Sequence, residues 1–554
     1  MSRLAGVVVR AMNHGHFLAL LPAWRRFAAA ADDPRAAQEE RLRAALRRLP
    51  GTAFARAHPG LERARTLGEL QAAVPVRDMD AFAPWVARMV AGEPDVLLRE
   101  PLLCFEPSSG STAAAKWVPY TRGLIAEFSA ATGAWLFDLL RRRPTLCRST
   151  AYWSLSPLAR RPARTPGGTP IGLADDTEYL PAPVRGLVRR LLPVPPAVAR
   201  LETVEACRRA SLHYLLADPR LGFVSVWSPS FLSLLLAQAR ADRAALAEGI
   251  ARGVPAVEAP PGLLPPTPPD PARAALVLDA LATPGPAAWA AIWPRWALVS
   301  CWADAGAARL VPELRAELPR TTELQPKGLL ATEGVVSIPL LGQEGGVLAL
   351  GSHLLELEPV DGGPAVAAHQ AEVGGRYAPV LTTAGGLTRY RLRDEVLVLG
   401  RWRRAPRVRF LGRLDGGSDL AGEKLSPSRV EVALAAALAL QGAGAGSGRA
   451  PRFALLAPLP RERPPCYALF LEAGRAPLDP ERLARELEAE LALGPHYAQC
   501  RALGQLGPVR VTQVRDGARR FEEALVARGQ QAGAIKPPSL HPGDFWGEVL
   551  GSSR

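Results

Sequence analysis

Apolar residues along this chain follow two different spacings, and the two alternate. Short continuous apolar runs, typical of buried strands, occur at residues 102–105, 150–156, 222–227 and 296–302. Between these runs, apolar residues recur every three or four positions, as in residues 38–49, which is the spacing of an amphipathic helix. Strands that alternate with helices over several hundred residues predict a large α/β domain.

The pattern changes towards the carboxyl end. Residues 380–425 form short alternating strands with Gly and Asp turns, and the charged, glycine-rich stretch 412–417 is typical of a hinge. A smaller set of helices and strands then follows. Its members are a helix at 428–440, a Gly/Ala/Ser loop at 442–448, strands at 453–457 and 466–471, and a helix at 479–493. We therefore predict a large domain over residues 1–413 and a small α+β domain over residues 414–554.

Charge and cysteine content bear on whether the protein binds nucleic acid and on where in the cell it is found. The 554 residues carry a formal net charge of +14, but the arginines are dispersed, and neither zinc-finger spacing nor a basic-region heptad is present. We therefore expect no nucleic-acid partner. Six widely spaced cysteines without a Cys-x-x-Cys motif indicate reduced thiols and a cytoplasmic location. The apolar run at residues 17–22 is too short for a membrane span, so none is expected.

A hydroxyl-rich stretch lies between the strand run at 102–105 and a helical pattern that begins after Thr121. It contains Ser108, Ser109, Gly110, Ser111 and Thr112, with Lys116 four residues later. Backbone N–H groups, hydroxyls and a lysine in such a loop can surround phosphates. The Gly-x-x-x-x-Gly-Lys-Ser/Thr pattern is absent, which excludes a P-loop NTPase of the usual kind. An ordinary serine-rich turn has the same composition.

Lysine is rare in this chain. Only four of the 67 basic residues are lysines, namely Lys116, Lys327, Lys424 and Lys536. Arginine is a planar fork, whereas lysine is a compact charge on a flexible stem, so a lysine in an arginine-rich chain is a candidate for a task that arginine cannot perform.

Two further stretches carry candidate chemistry. An apolar strand at 328–331 ends in Thr332 and Glu333, where a hydroxyl could hold a phosphate and a carboxylate could hold Mg²⁺. The pattern is equally typical of a plain strand-to-turn junction. In the strand-rich region 380–425, an Asp could accept hydrogen bonds from ribose hydroxyls.

Together these motifs resemble the adenylate-forming enzymes. The set comprises the Ser-Ser-Gly-Ser loop with its lysine, the strand-end Thr-Glu pair, Tyr390-Arg-x-x-Asp394, Gly412-Arg-x-Asp415, Gly422-Glu-Lys424 and the terminal Lys536. Stretches 74–78, 292–294, 356–359, 387–391 and 405–410 narrow the resemblance to the auxin-responsive Gretchen Hagen family of acyl-acid amido synthetases. The resemblance spans nearly the whole chain in the family's order.

The resemblance implies a fold and a reaction. The expected fold is a large N-terminal adenylation domain, with sheets flanked by helices and a small β-barrel, followed by a smaller, mobile C-terminal domain. The expected reaction uses ATP and Mg²⁺ to convert a carboxylic acid into an acyl-adenylate, which then acylates an amine, usually of an amino acid. We expect a monomer whose partners are these small molecules.

The resemblance also implies roles for single residues. Lys536 matches the mobile lysine that meets the transferring phosphate, and the loop 108–116 surrounds the phosphates. Thr332 lies beside them, Glu333 holds Mg²⁺, Asp394 binds the ribose and Arg413 lies at the hinge. Trp153, Trp227 and Trp302, near strand ends, are candidates for an acyl pocket. One departure is Arg393, which occupies the place of a glycine before the ribose aspartate.

Two other functions remain open from the sequence. One keeps the acyl-adenylate but passes the acyl group to a thiol such as coenzyme A. The other is a non-catalytic nucleotide- or nucleic-acid-binding protein that uses the basic charge, and it predicts strongly salt-dependent binding without turnover.

Overall fold

The computed structural model describes most of the 554-residue chain. Outside the description lie residues 1, 108–116, 154–162, 173–190, 415, 419, 422, 424, 445–448, 475–476, 503, 529, 531–534 and 552–554, together with the side chains of residues 2–14, 16, 230, 306, 309, 495, 496 and 499. The hydroxyl-rich loop, with Ser108, Ser109, Gly110, Ser111, Thr112 and Lys116, therefore falls outside the described residues.

Helices form the N-terminal part of the large domain. They are α1 (Ser2–Asp32), α2 (Pro34–Leu46), α3 (Ala53–Ala57), α4 (Leu67–Ala73), α5 (Met79–Val90) and α6 (Arg122–Arg142). Capping side chains fix where several of these helices begin. At α4, the Thr66 hydroxyl and the Glu69 carboxylate form a reciprocal capping box. The Thr121 hydroxyl likewise accepts from Leu124 N–H at the start of α6.

Helix α6 belongs to the core of the large domain. Of the described residues, this helix alone is long and apolar enough, by length and composition, to cross a membrane. A single such helix is weak support for a span, since the core helix of a folded domain passes the same test, and 56% of its most apolar window is buried in the protein. Buried Asp138 also pairs with Arg141 and Arg142. The absence of a membrane span stays a prediction.

The hydroxyl-rich loop connects two strands, not a strand and a helix as we expected. Strands β1 (Leu102–Pro107) and β2 (Trp117–Thr121) pair antiparallel, with Pro107 opposite Trp117, so the loop between them closes a β-hairpin. Short strands β4 (Ala163–Arg164) and β5 (Pro170–Ile171) complete this sheet in the order β2-β1-β5-β4. The helical spacing after Thr121 was predicted correctly, but the five-residue strand β2 that precedes the helix was not predicted.

A parallel sheet lies beside this hairpin. Its strands are β3 (Thr150–Trp153), β6 (Leu221–Ser225), β7 (Leu298–Cys301) and β8 (Glu323–Pro326), in that order and all parallel. The helices of this part of the chain are α7 (Val204–Ala217), α8 (Pro229–Ala241), α9 (Arg243–Arg252), α10 (Pro271–Ala280), α11 (Pro286–Ile292) and α12 (Val311–Glu317). Parallel pairing brings the carboxyl ends of all four strands to one edge, where α/β proteins bind ligands.

The third large sheet is antiparallel. It is formed by the part of the chain for which the resemblance predicted a small β-barrel. Its strands are β11 (Ser337–Pro339), β12 (Gly346–Leu348), β13 (Leu354–Pro359), β14 (Val366–Ala367), β15 (Arg376–Thr382), β16 (Tyr390–Arg391), β17 (Asp394–Trp402) and β18 (Ala405–Arg413). They follow the order β11-β12-β18-β17-β15-β13-β14, with β16 on β15. A small hairpin of β9 (Leu330–Ala331) and β10 (Gly334–Val335) joins this sheet to the parallel one.

The carboxyl-terminal part is a separate, smaller unit. Strands β19 (Phe453–Leu459), β20 (Cys466–Glu472) and β21 (Arg510–Gln513) form its sheet, and its helices are α13 (Pro427–Leu440), α14 (Pro480–Leu491), α15 (Pro495–Ala502), α16 (Gly517–Val526) and α17 (Trp546–Gly551). Alternate residues of β19 face opposite ways, since Leu456 packs in one hydrophobic cluster and Leu455 in another.

The α/β fold with a large N-terminal and a smaller C-terminal part is confirmed. The two parts touch directly, because Arg208 of α7 pairs with Glu522 of α16 at 3.0 Å. The boundary at residues 413 and 414 and the mobility of the small part stay predictions.

Candidate active site

The Thr332–Glu333 pair lies in the turn between β9 and β10. The Tyr120 hydroxyl donates to the Thr332 carbonyl at 2.7 Å, and the Tyr390 hydroxyl donates to Glu333 Oε1 at 2.8 Å. Glu333 is buried, and this burial raises the pKa of its carboxyl. Burial and the neighbouring Glu333 also raise the pKa of Tyr390, which therefore remains a donor.

A buried histidine holds this turn from behind. His353 Nε2 accepts from Val335 N–H at 3.0 Å, and His353 Nδ1 lies 2.8 Å from Glu127 Oε2 on α6. Because Nε2 is the acceptor, Nδ1 carries the proton and donates to the carboxylate. A Cβ on Gly334 would lie only 2.9 Å from His353 Nε2, so the glycine lets the histidine reach the backbone.

Asp394 and Arg413 face each other across two strands. Asp394 begins β17, Arg413 ends β18, and the register pairs the two residues directly. An Arg413 guanidinium nitrogen lies 3.9 Å from Asp394 Oδ1. The preceding Arg393 bonds the carboxylates of Asp78 and Asp80, both at 2.7 Å. The arginine that departs from the family's glycine thus ties this strand to α5.

Lys536 reaches this cluster from the small C-terminal part. Its ammonium nitrogen lies 3.4 Å from the ring centroid of Trp302 and 5.2 Å from that of Phe410. The residue keeps contact with solvent, but its ammonium lies among protein atoms, and this desolvation lowers its pKa to about 8. The carboxylates of Asp394 and Asp304 act in the opposite direction.

An aromatic cavity of about 190 Å³ opens at the carboxyl edge of the parallel sheet. The residues that line it are Phe128, Thr132, Trp135, Leu136, Trp153, Ser225, Val226, Trp227, Lys327, Gly328, Leu330, Ser337, Ile338 and Pro339. Two of the predicted pocket residues, Trp153 and Trp227, are therefore in its wall. Trp302 is outside this lining, packs against Trp227 with ring centroids 5.5 Å apart, and instead supports Lys536.

The structure therefore gathers part of the predicted site and leaves part undescribed. Asp394 and Arg413 act electrostatically on both Glu333 and Lys536, although these residues come from three separate stretches of chain. A single buried carboxylate fits Mg²⁺, which proteins usually hold through one or two carboxylates together with substrate phosphates. The desolvated Glu333 would be stabilised by such a cation.

Three residues of this site were not assigned a role from the sequence. Tyr390 lies within the same motif as Asp394, so its neighbourhood was a usable signal. Lys327 was marked only by the scarcity of lysine. His353 gave no local signal, since it meets Glu127 across 226 residues of chain.

The chain matches three domains of one family along most of its length. The GH3 family N-terminal domain matches residues 23–322, more than half of the chain, the central domain matches residues 348–413, and the C-terminal domain matches residues 432–542. The chain belongs to the GH3 family. This is the Gretchen Hagen family that the motifs indicated, and that prediction is confirmed.

Individual relatives are distant. A mouse (Mus musculus) GH3 domain-containing protein is 30% identical over 312 residues, which cover 54% of this chain and 56% of the relative. The indole-3-acetic acid-amido synthetase GH3.8 of rice (Oryza sativa subsp. indica) is 30% identical over 179 residues, 30% of this chain and 29% of the relative. The chain thus matches about half the length of the mammalian relative and less than a third of the rice relative.

A solved structure has the same fold over nearly the full length of the chain. The AtGH3.15 acyl acid amido synthetase in complex with 2,4-DB aligns with a TM-score of 0.81 and 18% identity, covering 96% of this chain and 95% of the other. At this identity the likeness extends to the fold alone.

Proposed function

We propose that this GH3 family chain is an ATP-dependent acyl-acid amido synthetase. A carboxylate oxygen attacks the α-phosphate of ATP, which gives an acyl-adenylate and releases pyrophosphate. An amine then attacks the acyl carbon, which gives an amide, AMP and one proton. The observation that carries the proposal is that the ammonium of Lys536, from the small C-terminal part, lies on the Trp302 ring, which packs against Trp227 in the cavity wall, and within electrostatic range of Asp394 and Arg413.

The residues supply what the first step requires. Phosphoryl transfer needs positioning and charge neutralisation more than covalent chemistry. Lys536 brings a positive charge to the transferring phosphate, and Asp394 can accept from ribose hydroxyls. Glu333 would hold Mg²⁺, which would neutralise phosphate charge, with Thr332 beside it. We assign phosphate contacts to the loop 108–116 as well, on the strength of its hydroxyls and Lys116.

The aromatic cavity is assigned to the acyl chain. Its walls are largely apolar, and it lies next to the Trp302 ring on which Lys536 rests. A pocket of this kind suits an aromatic or aliphatic acid whose carboxylate extends towards the lysine. We propose an amine and not a thiol as the acyl acceptor because the rice relative is named an amido synthetase. A monomeric state and a cytoplasmic location are part of the same proposal.

The proposed function is tested by acid-dependent pyrophosphate release. The purified chain is incubated with Mg-ATP and a panel of aryl, indolyl and fatty acids, with and without hydroxylamine or amino acids. We expect release that requires an acid, together with a hydroxamate or amide as the product. A thioester formed with coenzyme A but no amide would favour the thiol acceptor. Salt-dependent binding of DNA or RNA without turnover would contradict an enzymatic role altogether.

The hydroxyl of Tyr390 is expected to support the metal-binding carboxylate. Tyr390→Phe removes the hydrogen bond that orients the Glu333 carboxylate. Loss of such a supporting contact typically costs about 10- to 100-fold in metal affinity or activity. We therefore expect the Mg²⁺ concentration for half-maximal pyrophosphate release to rise by about that factor.

Tyr120→Phe is the matched control for this prediction. It removes a hydroxyl that donates to the adjacent Thr332 carbonyl, a neutral acceptor. The Mg²⁺ dependence should stay near that of the unaltered chain in this variant. An equal change in both variants would mean that the two tyrosines act on the shape of the turn and not on the metal ligand.

A further inference from the structure

Among the described residues, Lys327 is the lysine that lines the aromatic cavity. Its backbone N–H donates to the Cys301 carbonyl at 2.9 Å, which continues the pairing of β7 and β8 beyond the strand. A Cβ on the next residue, Gly328, would lie 2.2 Å from the Ser337 carbonyl oxygen, so the chain passes close to β11 at this point. The backbone that carries Lys327 is therefore fixed on both sides.

The ammonium group of Lys327 is held on the cavity wall. It donates to Ser225 Oγ at 2.8 Å, and it lies 5.1 Å from the ring centroid of Trp227 and 5.3 Å from that of Trp135. Two aromatic rings and a hydroxyl therefore hold the ammonium group in place. Arginine serves in nearly every other basic position of the chain, so a lysine here fits the narrow space between two tryptophans.

Two lysines thus flank one pair of tryptophan rings. Lys536 lies 3.4 Å from Trp302, the two ring centroids are 5.5 Å apart, and Lys327 lies 5.1 Å from Trp227. These distances place the two ammonium groups at most about 14 Å apart. Lys327 lines the cavity, whereas Trp302 beneath Lys536 is outside the lining.

The size of the cavity limits the acid that it can hold. Its volume of about 190 Å³ is somewhat larger than the roughly 150 Å³ of a protein cavity that binds benzene. The cavity therefore has room for one aromatic ring and a small substituent. If the reacting carboxylate of a bound acid extends out of the cavity towards Lys536, the rest of the acid lies inside the cavity, whose wall includes Lys327.

We propose that the cavity selects an aryl carboxylic acid that carries a second anionic group, and that Lys327 binds this second group. The inference rests on the proposed function and names its substrate class. An ammonium in a largely apolar cavity favours an anion over a neutral group of the same shape, because a charge-assisted hydrogen bond is stronger than a neutral one.

The test compares two acids of the same shape. Terephthalate carries the second carboxylate, and 4-carbamoylbenzoate replaces it with a neutral amide. For pyrophosphate release by the full chain, we expect kcat/KM to be on the order of 10- to 100-fold higher for terephthalate. Lys327→Met should abolish this preference, whereas Lys327→Arg should retain part of it because the charge remains. Thermal unfolding of each variant verifies its fold.

Three outcomes would overturn the inference. One is a preference of the unaltered chain for the neutral acid. Another is an equal loss of kcat/KM for both acids in Lys327→Met, which would place the reacting carboxylate on Lys327. The third is no effect of Lys327→Met on either acid.

Direct binding separates this inference from the proposed function. Titration with terephthalate in the absence of ATP is followed by calorimetry and by the fluorescence of the cavity tryptophans. Binding that depends on Lys327 without any pyrophosphate release would sustain the subsite and refute the synthetase. Pyrophosphate release with other acids, but no Lys327-dependent binding of the diacid, would refute the subsite and sustain the synthetase.

Discussion

Replacing Lys536 by alanine should lower acid-dependent pyrophosphate release by on the order of 10³-fold or more. The ammonium is the charge that the C-terminal part brings to the transferring phosphate, and it lies 3.4 Å above the Trp302 ring. A cation that contacts the transferred phosphoryl group stabilises charge mainly in the transition state, so kcat should fall more than KM for ATP rises. Rapid-quench measurement of acyl-adenylate formation gives the rate of this step alone.

The second half-reaction provides the control. Amide formation from a chemically prepared acyl-adenylate involves no phosphoryl transfer from ATP, and Lys536→Ala should leave it nearly unchanged. Arg510→Ala removes an exposed cation of the same C-terminal part and should leave both steps intact. If Lys536→Ala forms acyl-adenylate at the normal rate, Lys536 does not meet the phosphate.

The pKa of Lys536 also predicts how the activity depends on pH. Desolvation of the ammonium by the surrounding protein atoms lowers this pKa to about 8, and only the protonated ammonium attracts phosphate. The contribution of Lys536 is therefore present below pH 8 and is lost as the pH rises through that value. In kcat/KM for ATP, which reports the free enzyme, we expect a fall above about pH 8 that is absent in Lys536→Ala.

The secondary structure was largely predictable because its signals are local. Apolar runs and three-to-four spacings depend on neighbouring residues, and they located three of the four parallel strands, helix α6 and the small C-terminal unit, but not β8. The strand β2 was missed, since its five residues contain Pro119 and lead directly into the helical pattern of α6. Its pairing with β1 is a contact across an undescribed loop, which local spacing cannot show.

The site was predictable only where a motif or a rare residue marked it. Glu333, Asp394 and Lys536 belong to stretches of unusual composition, and lysine is conspicuous in an arginine-rich chain. The supporting contacts are long-range, since Tyr390 meets Glu333 across 57 residues and Lys327 meets Ser225 across 102. The position of Trp302 at a strand end was predicted correctly. Its contact with Lys536 was not predicted, because the two residues are far apart in the sequence.

A buried ion pair connects this site to the N-terminal helices. Arg389 bonds both carboxylate oxygens of Glu356 at 2.9 Å, and the side chains of both residues are almost completely buried. Arg389 also donates to the Val74 carbonyl at 2.6 Å after α4. Its backbone is left-handed, with φ of 51°, and the next residue is Tyr390, the partner of Glu333. The pair therefore fixes a strained backbone directly beside the site.

Glu356→Gln should destabilise the large domain by about 3–5 kcal/mol, because it leaves the Arg389 charge buried without its counter-ion. The measurement is urea unfolding followed by tryptophan fluorescence and circular dichroism, with each transition fitted separately. The matched control is Glu358→Gln on the same strand β13, whose partner Arg391 has a side chain 43% exposed to solvent. That substitution should cost no more than about 1 kcal/mol. Equal losses in the two variants would mean that the cost arises from strand β13 itself and not from the burial of the ion pair.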